Sequence, residues 1–394
     1  MNRISEILHD EGLAGIYSRL RYPKGRTATH DLPPIAARVQ VIGGDATLAA
    51  SLRQMLRMAG RPTLPEGAAP GTTRFHIDPD FTAASRHDER DVLILTSCTR
   101  ADLAQVILHG RGCHALIDTV PARLDALIAS GLPAERLFLA AEDVTGFRRG
   151  LFRFLVAGRA IDPDAIDWRS VMPEIAPATV PRLCLGLPET PARRASFQRQ
   201  PVQGFRVFDG LRYDPGWIGA ALSFRTMARA CLDAGAPWAI FCEDDMLAAP
   251  DFEARLQVVQ DYLRGVEWDV FSGLSTHVRD DYALQGVARF GGETFLHLDR
   301  TAGMVFNIFN RRALEWLADW RMDDHGARRV TIDRHLEAMP GMRVVTTRDF
   351  LVDHSDLLSS TAWGFSNRRY RSLIAASQRR LQAKAMQAPE GAIA

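Results

Sequence analysis

The sequence predicts a two-domain α/β protein. Three observations carry this: short apolar runs alternate with helical patterns up to about residue 160, a proline-marked break follows, and a second alternation starts at residue 182. At 394 residues the chain is also too long for one ordinary core.

In order, residues 1–36 form a leader containing a helix of about 20 residues. Residues 37–160 supply the strands ARVQVIG (37–43), RFHID (74–78), DVLILTS (91–97), CHALID (113–118) and RLFLA (136–140), with helices such as ATLAASLRQMLRMAG (46–60) between them. A doubly wound parallel sheet, Rossmann-like and of unassigned role, suits that alternation. Residues 161–181, IDPDAIDWRSVMPEIAPATVP, hold four prolines and little periodicity and read as a linker. The second domain spans 182–365, and residues 366–394 form a basic amphipathic tail helix ending in the small-residue stretch AMQAPEGAIA.

A net charge of +1, with 46% hydrophobic and 24% charged residues, describes a globular protein with no global field for nucleic acid. The five cysteines are widely spaced, without a CxxC pair, and read as reduced thiols of a cytoplasmic protein. Neither an apolar signal region nor the roughly 18 apolar residues of a membrane span is present.

In the first domain, VIGGDATLA places Gly43 and Gly44 before a helix, but the spacing is not GxGxxG and Asp45 reads as a helix cap. His76, Asp78, His87 and Asp88 read as polar residues of loops and strand ends.

Chemistry concentrates in the second domain. LCLGL runs into PETPARRASF, which puts Arg193 and Arg194 at a helix start near the carboxyl edge of a strand, where open α/β sheets bind ligands. Paired guanidiniums there suit a diphosphate, and a solvated helix face is the alternative. The strand in GFRVFDG ends at Asp209, and in the next helix Ile218, Ala221, Phe224, Ala228 and Cys231 fall at core spacing. The strand Trp238 to Cys242 then ends in Glu243, Asp244 and Asp245. Three adjacent anions call for a positive partner, and Mn²⁺ or Mg²⁺ with oxygen ligands fits such a strand end.

The block IGAALSFRTMARACLDAGAPWAIFCEDDM resembles the central motif of the lipopolysaccharide-type glycosyltransferases of family 25, with PARRASF and FDG in the expected order before it. The resemblance covers 182 to about 275 well and the rest of the second domain more loosely. It implies a GT-A fold and metal-dependent, inverting transfer of a sugar from a nucleotide sugar, most simply a UDP-sugar, to a hydroxyl of a saccharide or lipid-linked acceptor. Glu243, Asp244 and Asp245 occupy the family's acidic metal motif, with Arg193, Arg194, Asp209 and Ser223 beside the donor. Phe224 stands where the family pattern has histidine, and Glu189 and Thr190 replace its first arginine pair.

Further on, His277 in WDVFSGLSTHV is a candidate wall of a sugar pocket, and Thr301 to Gly303 would let an acceptor approach closely. Asp333, at the helix start in VTIDRHLEAM, is a candidate general base, with helix capping as the alternative. In FLVDHSDLLSSTAWG, His354 resembles the histidine that joins the metal in several GT-A enzymes. The tail carries Tyr370, Leu373, Ile374, Ser377 and Leu381 on one side and six cations elsewhere, a pattern for packing or for peripheral contact with the inner face of a membrane.

Overall fold

The computed structural model describes residues 3–21, 32–65, 71–81, 86–176, 180–322 and 330–387. The end of the small-residue tail, 388–394, and part of the leader, 22–31, lie outside the described residues.

The class is α/β, with one wholly parallel sheet and one mixed sheet. Strands β1 (Val39–Ile42), β2 (Thr63–Leu64), β3 (Thr73–Ile77), β4 (Asp91–Leu95), β5 (Ala115–Asp118) and β6 (Leu137–Leu139) form a six-stranded sheet in the order β2-β1-β3-β4-β5-β6. Every pairing in it is parallel. The unbroken DVLIL run of β4 is buried along its whole length, as a strand covered on both faces must be. Helices α2 (Ala46–Met58), α3 (Leu103–Gly110), α4 (Pro121–Ala129) and α5 (Val144–Ala157) accompany these strands, whereas α1 (Arg3–Arg21) lies against residues 369–380. Asp45 caps α2, accepting from the Thr47 and Leu48 amides at 2.9 and 3.1 Å, so that helix end already holds a carboxylate. A Cβ on Gly44 would lie 2.3 Å from Ile77, so this glycine serves close packing of strand against loop.

The segment expected as a bare linker joins the two sheets, yet it is packed. Ile166, Trp168, Val171, Met172 and Ile175 are buried in the core of the second sheet, and the Trp168 indole donates to Asp233 at 2.8 Å. Its apolar residues lack a single period because two short 3₁₀ turns, Pro163–Ala165 and Trp168–Ser170, interrupt irregular chain there.

Beyond it come β7 (Arg182–Gly186), α6 (Pro191–Gln198), β8 (Arg206–Asp209), α7 (Gly216–Asp233), β9 (Trp238–Glu243), β10 (Met246–Ala248), α8 (Phe252–Leu263), β11 (Val270–Ser272), β12 (Leu284–Phe290) and β13 (Glu293–Leu298). Then follow β14 (Phe306–Asn310), α9 (Arg311–Ala318), α10 (Ile332–Glu337), β15 (Val344–Thr347), β16 (Val352–His354) and α11 (Arg371–Gln387). Eight strands make one mixed sheet, β12-β13-β15-β11-β14-β9-β7-β8, while β10 and β16 pair separately. The predicted core positions of α7, Ile218, Ala221, Phe224, Ala228 and Cys231, are all buried.

Two buried arginines tie the sheets together. Arg153 of α5 grips Glu189 after β7 at two points, 3.0 and 2.9 Å, and its Nε donates to Gly210 O at 2.9 Å. Arg212 donates back to Leu137 O and Glu135 O at 2.6 and 2.7 Å and stacks over Phe138 at 4.1 Å. Glu189, a departure from the family pattern, is therefore the acceptor of an ion pair from the first sheet's helix.

The tail helix packs on the protein: Ile374, Ala376, Ser377 and Leu381 are buried, and α1 lies antiparallel along α11. Cys113, Cys184, Cys231 and Cys242 are buried thiols, while Cys98 is exposed. Among the described residues no helix is long and apolar enough to cross a membrane.

Candidate functional site

The acidic run is placed by three strands. β9 ends at Glu243, whose amide donates to Val305 O at 3.0 Å; the Asp244 amide donates to Leu185 O at 3.1 Å; Ser355 N donates to Asp245 O at 2.8 Å. The chain then reverses into β10, which pairs with β16 so that Met246 faces His354. That short ladder carries His354 to the cluster, its Nε2 3.5 Å from Asp245 Oδ2. Gly186 opposite allows the approach, since a Cβ there would lie 2.9 Å from Asp244 Oδ2.

Arg193, expected beside a diphosphate, already has partners within the protein. It is buried among the acids: Nε and Nη2 donate to Asp244 Oδ1 at 2.8 and 2.5 Å, Nη2 lies 3.0 Å from Asp245 Oδ2, and Nη1 donates to Ser359 O at 2.6 Å. The positive partner that three adjacent carboxylates require is thus partly supplied by the protein. Arg194 is half-buried and pairs with Asp209 at the end of β8. Ser223 is buried with its hydroxyl committed, accepting from Leu211 N at 2.8 Å and donating to Gly219 O at 2.7 Å. It braces the turn before α7.

Burial opposes ionisation of Asp245, but Arg193, His354 and Asn367 hold its carboxyl well below the usual range. Burial keeps Asp244 raised in spite of Arg193, and burial with the Asp245 charge pushes Glu243 up to about 8. Arg193 loses water, yet Asp245 and Asp244 raise it further.

Two chambers meet at this cluster. A narrow one of about 70 Å³ is lined by Gly186, Arg193, Gly210 and Ser223. A larger one of about 360 Å³ is lined by Trp217, Asp333, His354, Asn367 and Tyr370. Glu243, Asp245, Ala220, Ser360 and Ala362 border both. The narrow chamber is smaller than the ~300 Å³ or more usual for whole small-molecule sites and suits a group about the size of one phosphate.

Asp333 lies in the first turn of α10, accepts from the Thr331 hydroxyl, and lines the larger chamber. His277 turns away to Arg334, 3.2 Å from its Nη2. Gly303 lines the larger chamber beside Thr276; a Cβ there would meet Thr276 Oγ1 at 2.3 Å, and φ is +121°. Sequence reasoning missed Asn367, whose Nδ2 donates to Asp245 Oδ2 at 2.9 Å, and Tyr370, which stands edge-on to His354. Both lie 122 or more positions from the acids in a stretch that reads as tail, and no local pattern points to them.

Asp244 Oδ2, Asp245 Oδ1 and His354 Nδ1 are buried without a hydrogen-bond partner. These acceptors are the kinds of atom a hard divalent cation takes. Among the described residues, however, no three His, Cys, Asp or Glu side chains stand in a ready metal cluster.

No model of a known protein family matches the chain, and neither does any curated protein. Among solved structures the chain is similar to A197 from STIV, at 11% identity over 45% of this chain and 86% of that one. The TM-score is 0.28, too low to carry an inference about fold or function.

Proposed function

We propose that the protein is a metal-dependent, inverting glycosyltransferase, with a Rossmann-like first domain and a GT-A-like second domain. It moves a sugar from a nucleotide sugar to a hydroxyl of a cell-surface glycan or lipid-linked acceptor on the cytoplasmic side. The observation that carries this reading is the meeting of two chambers at Glu243 and Asp245, a donor side with Arg193 and an acceptor side with Asp333.

Asp245 and His354 would hold Mn²⁺ or Mg²⁺, and each has a buried atom, Oδ1 and Nδ1, without a hydrogen-bond partner. Bound there, the ion would neutralise the diphosphate leaving group. The protein's own part is to position and to move a proton. Arg193 and Arg194 offset the carboxylates at the donor edge, and Glu243 and Asp244 orient the ribose or sugar. Asp333 takes the proton of the acceptor hydroxyl as it attacks the anomeric carbon from the face opposite the nucleotide. The Thr331 hydroxyl fixes that carboxylate.

A second reading is a catalytically degenerate module that binds a glycan or nucleotide. It is favoured by the direct clamp of Arg193 on Asp244 and Asp245, which balances these acids without metal. Incubation with a panel of nucleotide sugars, with Mn²⁺ or with EDTA, separates the two. Metal-dependent release of nucleoside diphosphate is expected for the transferase; binding without turnover in every combination would leave the module.

A further inference from the structure

Helix α1 turns its apolar side chains outward. From Leu13 to Arg21 the exposed positions are Leu13, Ala14, Tyr17, Leu20 and Arg21, which fall on one side of a helix of 3.6 residues per turn. Leu13 and Leu20 are each 77% exposed and Tyr17 63%. The inward positions are small or polar: Gly15 and Ser18 are buried, as is Glu11 before the kink at Gly12. Ser18 Oγ donates to Arg369 O at 3.3 Å, and Glu11 accepts from Ser372 Oγ at 2.7 Å, so the polar face is the one docked on the start of α11.

A helix facing water on that side would show the reverse pattern. Three of the twelve large exposed apolar side chains among the described residues lie within these nine positions, a concentration that marks a contact surface.

The charges around the ridge say what covers it. No acid occurs from Leu13 to Arg21, where Arg21 is exposed, though Asp10 and Glu11 precede it; Arg368 and Arg371, exposed on the stretch that Ser18 docks against, add cations, and Asp356 lies 3.6 Å from Arg371. Leucines with one tyrosine, bordered by arginines, match the boundary between acyl chains and anionic headgroups. The same end of α1 brings Arg19 to the wall of the larger chamber, next to Arg369 and Tyr370. We propose that the outer face of α1 from Leu13 to Arg21 docks on a bilayer surface carrying anionic lipid. The proposal holds whether or not the transferase reading does. It transfers the membrane contact from α11, whose apolar side is buried, to α1.

The test is co-sedimentation of the full chain with vesicles of phosphatidylcholine alone or of phosphatidylcholine and phosphatidylglycerol in equal parts. Wild type is expected to pellet with the anionic vesicles and to be released by salt. A triple variant, Leu13→Ser, Tyr17→Ser and Leu20→Ser, is expected to bind about tenfold or more weakly at an unchanged melting temperature, because these side chains touch water in the free protein. Wild type remaining in the supernatant, or a triple variant that pellets equally well, overturns the proposal. So does sedimentation velocity showing a dimer that the triple variant abolishes while vesicle binding is absent, which would assign the ridge to a second copy of the chain.

Discussion

Arg153 and Glu189 form a two-point ion pair between α5 and the loop after β7, with N to O distances of 3.0 and 2.9 Å and both side chains almost wholly buried. A buried pair of this kind contributes little over an apolar pair of equal volume, but removing one member strands a charge. Glu189→Ala is expected to destabilise the protein by about 3–5 kcal/mol. Arg153→Met with Glu189→Met should recover much of that loss. Denaturant unfolding of the two variants checks this; a Glu189→Ala protein as stable as wild type would mean the pair does not hold the sheets together.

The same pair sets a pH dependence. Burial by itself would raise the Glu189 carboxyl, but the charge and hydrogen bonds of Arg153 overcome it and hold the group at about 2. A carboxyl lowered in the folded state stabilises fully above its unfolded value of roughly 4.5, and the contribution fades as pH falls toward the folded value. Unfolding free energy should therefore drop between roughly pH 5 and pH 2, and the drop should be smaller in the Arg153→Met, Glu189→Met protein. Identical acid limbs for the two proteins would remove Glu189 as its source.

How much of this was legible in the sequence follows from the range of each interaction. The parallel strands of the first sheet read directly, since DVLIL and ALID are buried on both faces and need no partner to be recognised. Trp238–Glu243 was equally plain, as were the helix starts at Asp45 and Asp333. The β12–β13 hairpin was missed because its alternation is weak and partly exposed, although Gly291 and Gly292, both at positive φ, signal its turn. Charge partners across the chain were not legible. Arg193 reads as a phosphate clamp, and Glu189 as a departure from a motif, until folding sets each against a residue tens of positions away.

Asp333 allows a test that separates proton transfer from binding. A general base acts on the acceptor, so its loss lowers turnover and spares affinity for the donor nucleotide. Asp333→Asn keeps the shape of the α10 start and an acceptor for the Thr331 hydroxyl. It is expected to reduce turnover about 10²- to 10⁴-fold with UDP affinity nearly unchanged. Near-normal turnover would restrict Asp333 to its place at the helix start.

The final prediction concerns Asp245, where charge balance and metal dependence meet. Three adjacent acids suggest that deleting one relieves repulsion, but the surroundings of Asp245 argue the opposite sign. Its Oδ2 accepts from Asn367 at 2.9 Å, faces Arg193 at 3.0 Å and lies 3.5 Å from His354. Asp245→Ala leaves the Asn367 amide and part of the buried Arg193 charge without an acceptor. Asp244 stays in place and limits the damage, so the loss in EDTA should be about 2–3 kcal/mol. Removing the carboxylate also removes the proposed anchor for Mn²⁺, and an anionic diphosphate then faces Glu243 and Asp244 with less compensation. Calorimetry of UDP binding, with Mn²⁺ and with EDTA, should give metal-dependent binding for wild type and none for Asp245→Ala. Wild-type binding that is indifferent to EDTA would reject the metal, leaving Arg193 as the counter-charge that makes the acidic strand end tolerable to a diphosphate.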